Sequence, residues 1–194
     1  MAECASKLTH VTPFEPQRIV FTPFALSDAG ELFQIRSDED AMRYWDWPAD
    51  KTLGATEQVA QQMLDDANAG TAKIWTVRLE NGTFVGVVDL SVIANGEADI
   101  GFMIRRDHWG KSYAFGAGML VIMNAHAMKL KRLKARIHAD NQRSRKLLQR
   151  LGFSPAGTRD VEIRPGVTKP CEFFALDHPG RRIVQGSSSL SQYR

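Results

Sequence analysis

The stretch that most constrains this chain is residues 100–117, IGFMIRRDHWGKSYAFGA. It reads as a short apolar strand, a tight polar turn and the first turn of a helix. The turn, His108-Trp109-Gly110-Lys111-Ser112, carries small residues where several backbone amides would converge on one spot. A helix that begins there adds its unpaired N–H groups and the positive end of its dipole. The stretch therefore predicts a preformed anion site, most often one for phosphate. A strand that runs into a helix and then returns to a further strand also implies a parallel crossover.

The elements around this stretch follow from periodicity and turn chemistry. Gln17–Phe24 reads as a strand ended by Pro23. Ser27 and Asp28 are N-cap candidates for a first helix, and Ser37 or Asp38 for a second short one. The aromatic cluster Tyr44-Trp45-Asp46-Trp47-Pro48 follows. Thr56 is the expected cap of a helix carrying Val59, Ala60, Met63, Leu64 and Ala67, with Gly70 as its stop. Residues 73–104 read as an antiparallel meander with turns at Asn81-Gly82 and Asn95-Gly96. A helix from Ser112 to about Leu130, a strand over 134–139, a helix over 141–151 capped by Gly152 and a hairpin turning at Pro165-Gly166 complete the order. The expected architecture is α/β, with a mixed, mostly antiparallel sheet of six to seven strands and helices on both faces. Residues 1–16 read as a loose lead-in, 17–177 as one domain and 178–194 as a flexible Gly/Ser-rich tail.

Composition narrows the class. The 194 residues suit one well-buried core, and a hydrophobic fraction of 43% is ordinary for a soluble globular chain. No apolar run reaches membrane-spanning length, and MAECASKLTH lacks the apolar segment of a signal peptide, so no membrane partner is expected. Cys4 and Cys171 stand far apart without CxxC spacing, which argues against a disulfide framework or zinc site and for the reducing cytoplasm. His10, His108, His126, His138 and His178 have no metal-ligand spacing, so no metal is expected.

Charge is segregated along the chain. Residues 1–99 hold 7 Lys/Arg against 16 Asp/Glu, whereas 105–150 hold 12 against 2. That asymmetry suggests an anionic ligand on one part and a cationic one on the other. The basic run Lys129–Arg150 lacks interleaved aromatics and any recognisable nucleic-acid motif, so no nucleic-acid partner is expected.

About 25 residues beyond the opening stretch stands a second unit, Asn141 to Phe153, NQRSRKLLQRLGF. The frame Asp107-His108-Trp109-Gly110-Lys111-Ser112, the Asn-x-x-Ser and the later Leu-Gly-Phe together resemble the GNAT superfamily of acyl-CoA-dependent N-acyltransferases. WGKSYA, and SDEDAMRYW near the start, are similar to the branch that acetylates ribosomal-protein N-termini. The family pattern Gln/Arg-x-x-Gly-x-Gly/Ala is departed from at Asp107 and Ser112, and the branch's Thr-Glu-Ala is replaced by Phe115-Gly116-Ala117.

The resemblance implies acetyl-CoA as co-substrate, a primary amine as acceptor and direct attack of that amine on the thioester. The pyrophosphate would sit on the amides of Gly110, Lys111, Ser112, Tyr113 and Ala114. The pantetheine would pair with the strand edge ending at Phe102, Met103 and Ile104, with Phe102 or Met103 polarising the thioester carbonyl. Asn141 would also contact the donor, or cap its helix. Many members place a Tyr acid seven residues after the Asn. Leu148 stands there, and Ser144 of Asn-x-x-Ser is the acid the branch suggests. Asp99 and Glu162 are alternative bases, and Tyr44, Trp45 and Trp47 are candidates for the acceptor wall. A CoA-binding sensor or scaffold without catalysis is the alternative, and a homodimer is left open.

Overall fold

Turn residues stand where a meander needs them, and three strands follow. The computed structural model describes residues 18–179; the lead-in over 1–16 and the tail beyond Pro179 lie outside the described residues. Strands β2 (Lys73–Leu79), β3 (Phe84–Ala94) and β4 (Glu97–Ile104) run antiparallel. Asn95 and Gly96 both take positive φ, 52° and 79°, as a two-residue hairpin turn requires. The Asn81-Gly82 connection is wider: the Gly82 amide donates to the Leu79 carbonyl and the Leu79 amide to the Thr83 carbonyl, both at 2.9 Å.

One seven-stranded sheet results, in the order β1-β2-β3-β4-β5-β7-β6, with β1 at Ile19–Pro23, β5 at Arg132–His138, β6 at Ser154–Arg164 and β7 at Val167–Asp177. Every neighbouring pair is antiparallel except β4 and β5. Helix α4 (Tyr113–Ala127) makes the crossover between that parallel pair. Helices α1 (Ala29–Arg36), α2 (Glu39–Met42) and α3 (Leu53–Asn68) lie between β1 and β2 in the chain, and α5 (Gln142–Arg150) follows β5.

Strand alternation sends apolar side chains to both faces. On one face Val88, Leu90, Ala98, Ile100, Leu133 and Ala135 pack with Tyr113, Ala117 and Val121 of α4 and Leu148 of α5. On the other, Ile74, Val87 and Met103 pack with Leu32 and Ile35 of α1 and Ala60 of α3. Leu32, Ile35, Leu90 and Leu133 are fully buried, each stabilising the fold by roughly 1.5–3 kcal/mol.

Three sequence expectations change. Thr52, not Thr56, caps α3: its hydroxyl accepts from the Ala55 amide at 3.2 Å. Thr56 is buried one turn inside and donates to Asp50 Oδ2 at 2.6 Å. Asp28 does not cap α1 with its side chain but turns inward, accepting from Thr76 Oγ1 at 2.6 Å and from Arg78 at 2.9 Å. The final hairpin strands, expected over about 158–164 and 171–176, are longer, beginning at Ser154 and Val167. Asp38 caps α2, accepting from the Asp40 and Ala41 amides.

Candidate functional site

Strands β4 and β5 pair for three residues only. Glu97, Ala98 and Asp99 stand opposite Arg132, Leu133 and Lys134, and beyond them the two strands are no longer paired. Residues 100–104 of β4 and 135–138 of β5 therefore present unpaired backbone edges to a cavity of about 610 Å³. Alternate residues along each strand point to opposite faces of the sheet, which gives the cavity two sides of different chemistry.

On the α4 side the lining is apolar, with Ile100, Phe102, Ile104, Ala135, Ile137 and Leu147, and it leads to the start of α4. Gly110 and Ser112 both take the left-handed conformation, φ 75° and 62°. That conformation costs Ser112 about 1–2 kcal/mol and costs Gly110 nothing. The first backbone bond of the helix runs from the Gly116 amide to the Ser112 carbonyl at 3.0 Å. The amides of Tyr113, Ala114 and Phe115 are thus left for an anion, which the helix dipole also favours. Trp109 fixes the turn to the end of β4, its Nε1 donating to the Ile104 carbonyl at 2.8 Å.

Cations complete this end, and in the sequence they stand out only as part of a basic run. Lys111 is exposed and does not line the cavity. The cations in the lining stand on α5, where Arg143, Lys146 and Arg150 share one helical face. The Arg143 guanidinium lies 3.7 Å from the Trp109 ring centre and that of Arg150 lies 4.0 Å from Phe115. Arg150 also comes within 3.5 Å of Ser112 Oγ. Arg145 pairs with Glu172 at 2.7 Å, but these three have no carboxylate partner among the described residues. Stacking holds two of the charges in place without neutralising them. The i, i+3, i+7 spacing in NQRSRKLLQR was the available signal. Asn141 caps α5, accepting from the Ser144 amide at 3.1 Å, and both residues line the cavity.

The opposite side is polar and aromatic. Tyr44, Trp45 and Trp47 line it, with the two tryptophan rings 6.3 Å apart. Asp46 is hydrogen-bonded to Arg136 and lies 3.5 Å from His138 Nε2. Tyr44 meets the His138 ring edge-on. Asp40 and Asp38 are held by Arg106 at 2.5 and 3.1 Å. His108 is buried against Tyr113, and burial pushes its imidazole below the usual histidine range.

Asp89 on β3 is the carboxylate at the cavity wall that no cation among the described residues neutralises. It stands opposite Gly101 in register, and a Cβ on Gly101 would meet its Oδ1 at 2.2 Å. The glycine thus leaves the space that the carboxylate occupies beside the open edge of β4. Burial pushes the Asp89 carboxyl up to about 6, a hydrogen bond from Ser91 opposes this, and the nearby Asp99 charge reinforces it. Nothing in the sequence marked it, because FVGVVDLSV reads as an ordinary strand.

The two expected bases lie outside the cavity lining. Asp99 falls where β4 and β5 are still paired and sits 3.7 Å from Lys134. Glu162 is exposed near the tip of the last hairpin, where its Oε1 accepts from the Gly166 amide at 2.8 Å. Phe102, Met103, Ile104, Gly110, Ser112, Tyr113, Ala114, Asn141, Ser144, Tyr44, Trp45 and Trp47 all line one cavity. No group of three or more His, Cys, Asp or Glu side chains among the described residues could hold a metal ion. No helix among them is long and apolar enough to cross a membrane.

Known proteins share this fold. The sequence model of the GNAT acetyltransferase domain matches residues 18–154. An uncharacterized N-acetyltransferase of Bacillus licheniformis, p20, is 28% identical over 165 residues, covering 82% of this chain and 93% of that protein. The solved spermidine N-acetyltransferase of Vibrio cholerae, in complex with CoA and spermine, has a TM-score of 0.73 at 15% identity and covers 82% of this chain and 95% of its own. An acetyltransferase of Salmonella typhimurium that modifies the N-terminal serine of a 50S ribosomal subunit protein has a TM-score of 0.74 at 19% identity, covering 82% and 94%.

Proposed function

Since the chain belongs to the GNAT family and is an N-acetyltransferase of that family, we propose that it moves an acetyl group from acetyl-CoA to a primary amine by direct attack in a ternary complex. The observation that carries this reading is the gap between β4 and β5, with an anion cradle at one end and an aromatic, carboxylate-bearing wall at the other. The amides of Tyr113, Ala114 and Phe115, with Arg143 and Arg150, fit a diphosphate. The open edge at 100–104 fits the amides of a pantetheine arm as an added strand. An amide at Phe102 or Met103 donates to the thioester oxygen and stabilises the negative charge that develops there.

On the other side, Tyr44, Trp45 and Trp47 suit a cationic amine approaching a carboxylate. The Vibrio cholerae relative, solved with spermine, and the Salmonella typhimurium relative, which modifies a protein N-terminus, define the classes to test. Ser144 is one of the hydroxyls that line the same cavity, and it suits protonation of the leaving thiolate.

A thiol-release assay with acetyl-CoA tests the reading against spermidine, peptides with free α-amines and lysine analogues. Turnover with at least one class is expected. Binding of CoA with no turnover of any amine would instead favour a CoA-binding sensor or scaffold. That second reading draws on Leu148, which is 2% exposed in the core where many GNAT enzymes carry a tyrosine acid.

A further inference from the structure

We infer that Asp89 is the catalytic residue that takes the proton from the acceptor ammonium, a role resting on the acetyl-transfer reading above. Four observations converge on it. It lines the cavity on the aromatic side, the same side as Tyr44, Asp46 and Arg136. It lies against Gly101, next to Phe102 on the open edge where the thioester would be held. The absence of a Cβ at Gly101 lets the carboxylate reach the strand backbone. The remaining carboxylates of that side are otherwise engaged: Asp40 with Arg106, Asp46 with Arg136, and Asp99 with Lys134.

The charges around Asp89 follow from the elements packed against it. From β2 the opposite residue is the apolar Ile74. On its own strand Ser91 is the polar neighbour, and β4 contributes Asp99. Strand β5 contributes Lys134, Arg136 and His138, the first tied to Asp99 and the other two facing Asp46. Asp89 is therefore free to hold an ammonium as its counter-ion, then to accept one proton from it.

The step balances without any added reagent. The ammonium nitrogen gives one proton to the Asp89 carboxylate, and its lone pair forms the N–C bond to the thioester carbonyl carbon. The electron pair moves to the carbonyl oxygen and returns as the C–S bond breaks. The nitrogen loses its second proton, the CoA thiolate gains one through Ser144 or solvent, and Asp89 releases its own to water. An α-amine, with a usual pKa near 7.7–8.0, lies within easy reach of such a carboxylate.

The test is the Asp89→Asn variant in the thiol-release assay, with acetyl-CoA and the best amine of the panel, across pH 5–10. The expected result is a kcat lower by about 10²–10⁴-fold, with CoA affinity by calorimetry unchanged. The wild-type kcat/KM should rise through an acid limb near pH 6, and in the variant that limb should move to the amine's own pKa. Gly101→Ala provides a second arm, since its Cβ pushes the carboxylate aside and should also lower kcat. A variant with wild-type kcat and an unmoved acid limb overturns the assignment and leaves acetyl transfer standing. Wild-type protein that turns over no amine overturns both.

Discussion

Replacing Asp50 with alanine removes the carboxylate partner, among the described residues, of a cation held almost wholly out of water. The Arg36 side chain is 3% exposed and that of Asp50 11%. Asp50 accepts from Arg36 Nε at 2.7 Å, from its Nη2 at 3.0 Å and from Thr56 Oγ1 at 2.6 Å. The Asp50 amide also donates to the Arg36 carbonyl at 2.7 Å. This network ties α1 to the start of α3 and frames the segment carrying Tyr44, Trp45 and Trp47. Losing the carboxylate strands a buried charge, which costs about 3–5 kcal/mol. For a domain of this size each kcal/mol shifts Tm by about 2–4 °C, so about 4 kcal/mol lowers it by roughly 8–16 °C. Urea unfolding followed by circular dichroism measures the loss directly.

The pH arm has a definite sign. Burial alone would raise the Asp50 carboxyl, but the hydrogen bonds from Arg36 and Thr56 outweigh it and hold it below its ordinary value. Its contribution is therefore present above the unfolded-state value of about 3.9 and is lost as pH falls through the folded one. Wild type and Asp50→Ala should converge in acid. The double variant Arg36→Met, Asp50→Ala should lose less than Asp50→Ala alone, because no uncompensated charge remains. A loss under about 1 kcal/mol at pH 7, or a gap that does not narrow below pH 4, would refute the reasoning.

Three further outcomes are expected. Ser112→Gly should stabilise the protein by about 0.5–1 kcal/mol in urea unfolding, because relief of the left-handed strain exceeds the added freedom of the unfolded chain. A loss of stability there would contradict the strain argument. Arg143→Ala and Arg150→Ala should each weaken CoA binding in calorimetry by roughly tenfold, with smaller effects at high salt; unchanged affinity would remove both from the anion site. Asp89→Asn should be more stable than wild type at pH 8 by on the order of 1–2 kcal/mol, with the gain vanishing below about pH 4. The sign follows because the folded protein binds more protons than the unfolded chain between about 3.9 and about 6, so wild-type stability falls as pH rises through that window.

Turn chemistry and periodicity made most of the fold readable, and the glycine-bearing bend made half of the site so. Asn95-Gly96 could be placed because both residues must adopt positive φ, a local demand that tertiary context rarely overrides. Thr56 was misread because a threonine ahead of an apolar helical pattern resembles a cap, whereas its hydroxyl is spent on a carboxylate six residues earlier. Asp28 does stand at the N-cap position of α1, but its carboxylate is spent on the Ala25 amide and on Thr76 and Arg78, 48 and 50 residues away on β2. Asp89 was illegible because its meaning depends on the glycine across the ladder at position 101, and strand pairing cannot be read from either segment alone. The cations of α5 were visible as a basic run, but only packing against Trp109 and Phe115 shows which of them turn inward.

The short seam between β4 and β5 makes the sheet two half-sheets, one of four strands and one of three, stitched by three residue pairs and the helices that span them. A molecule lodged in the gap would lend hydrogen bonds to both torn edges and act as a suture. The donor would then be part of the architecture as well as a reagent, adding about 2.7 kcal/mol to folding stability at a hundredfold excess over its Kd.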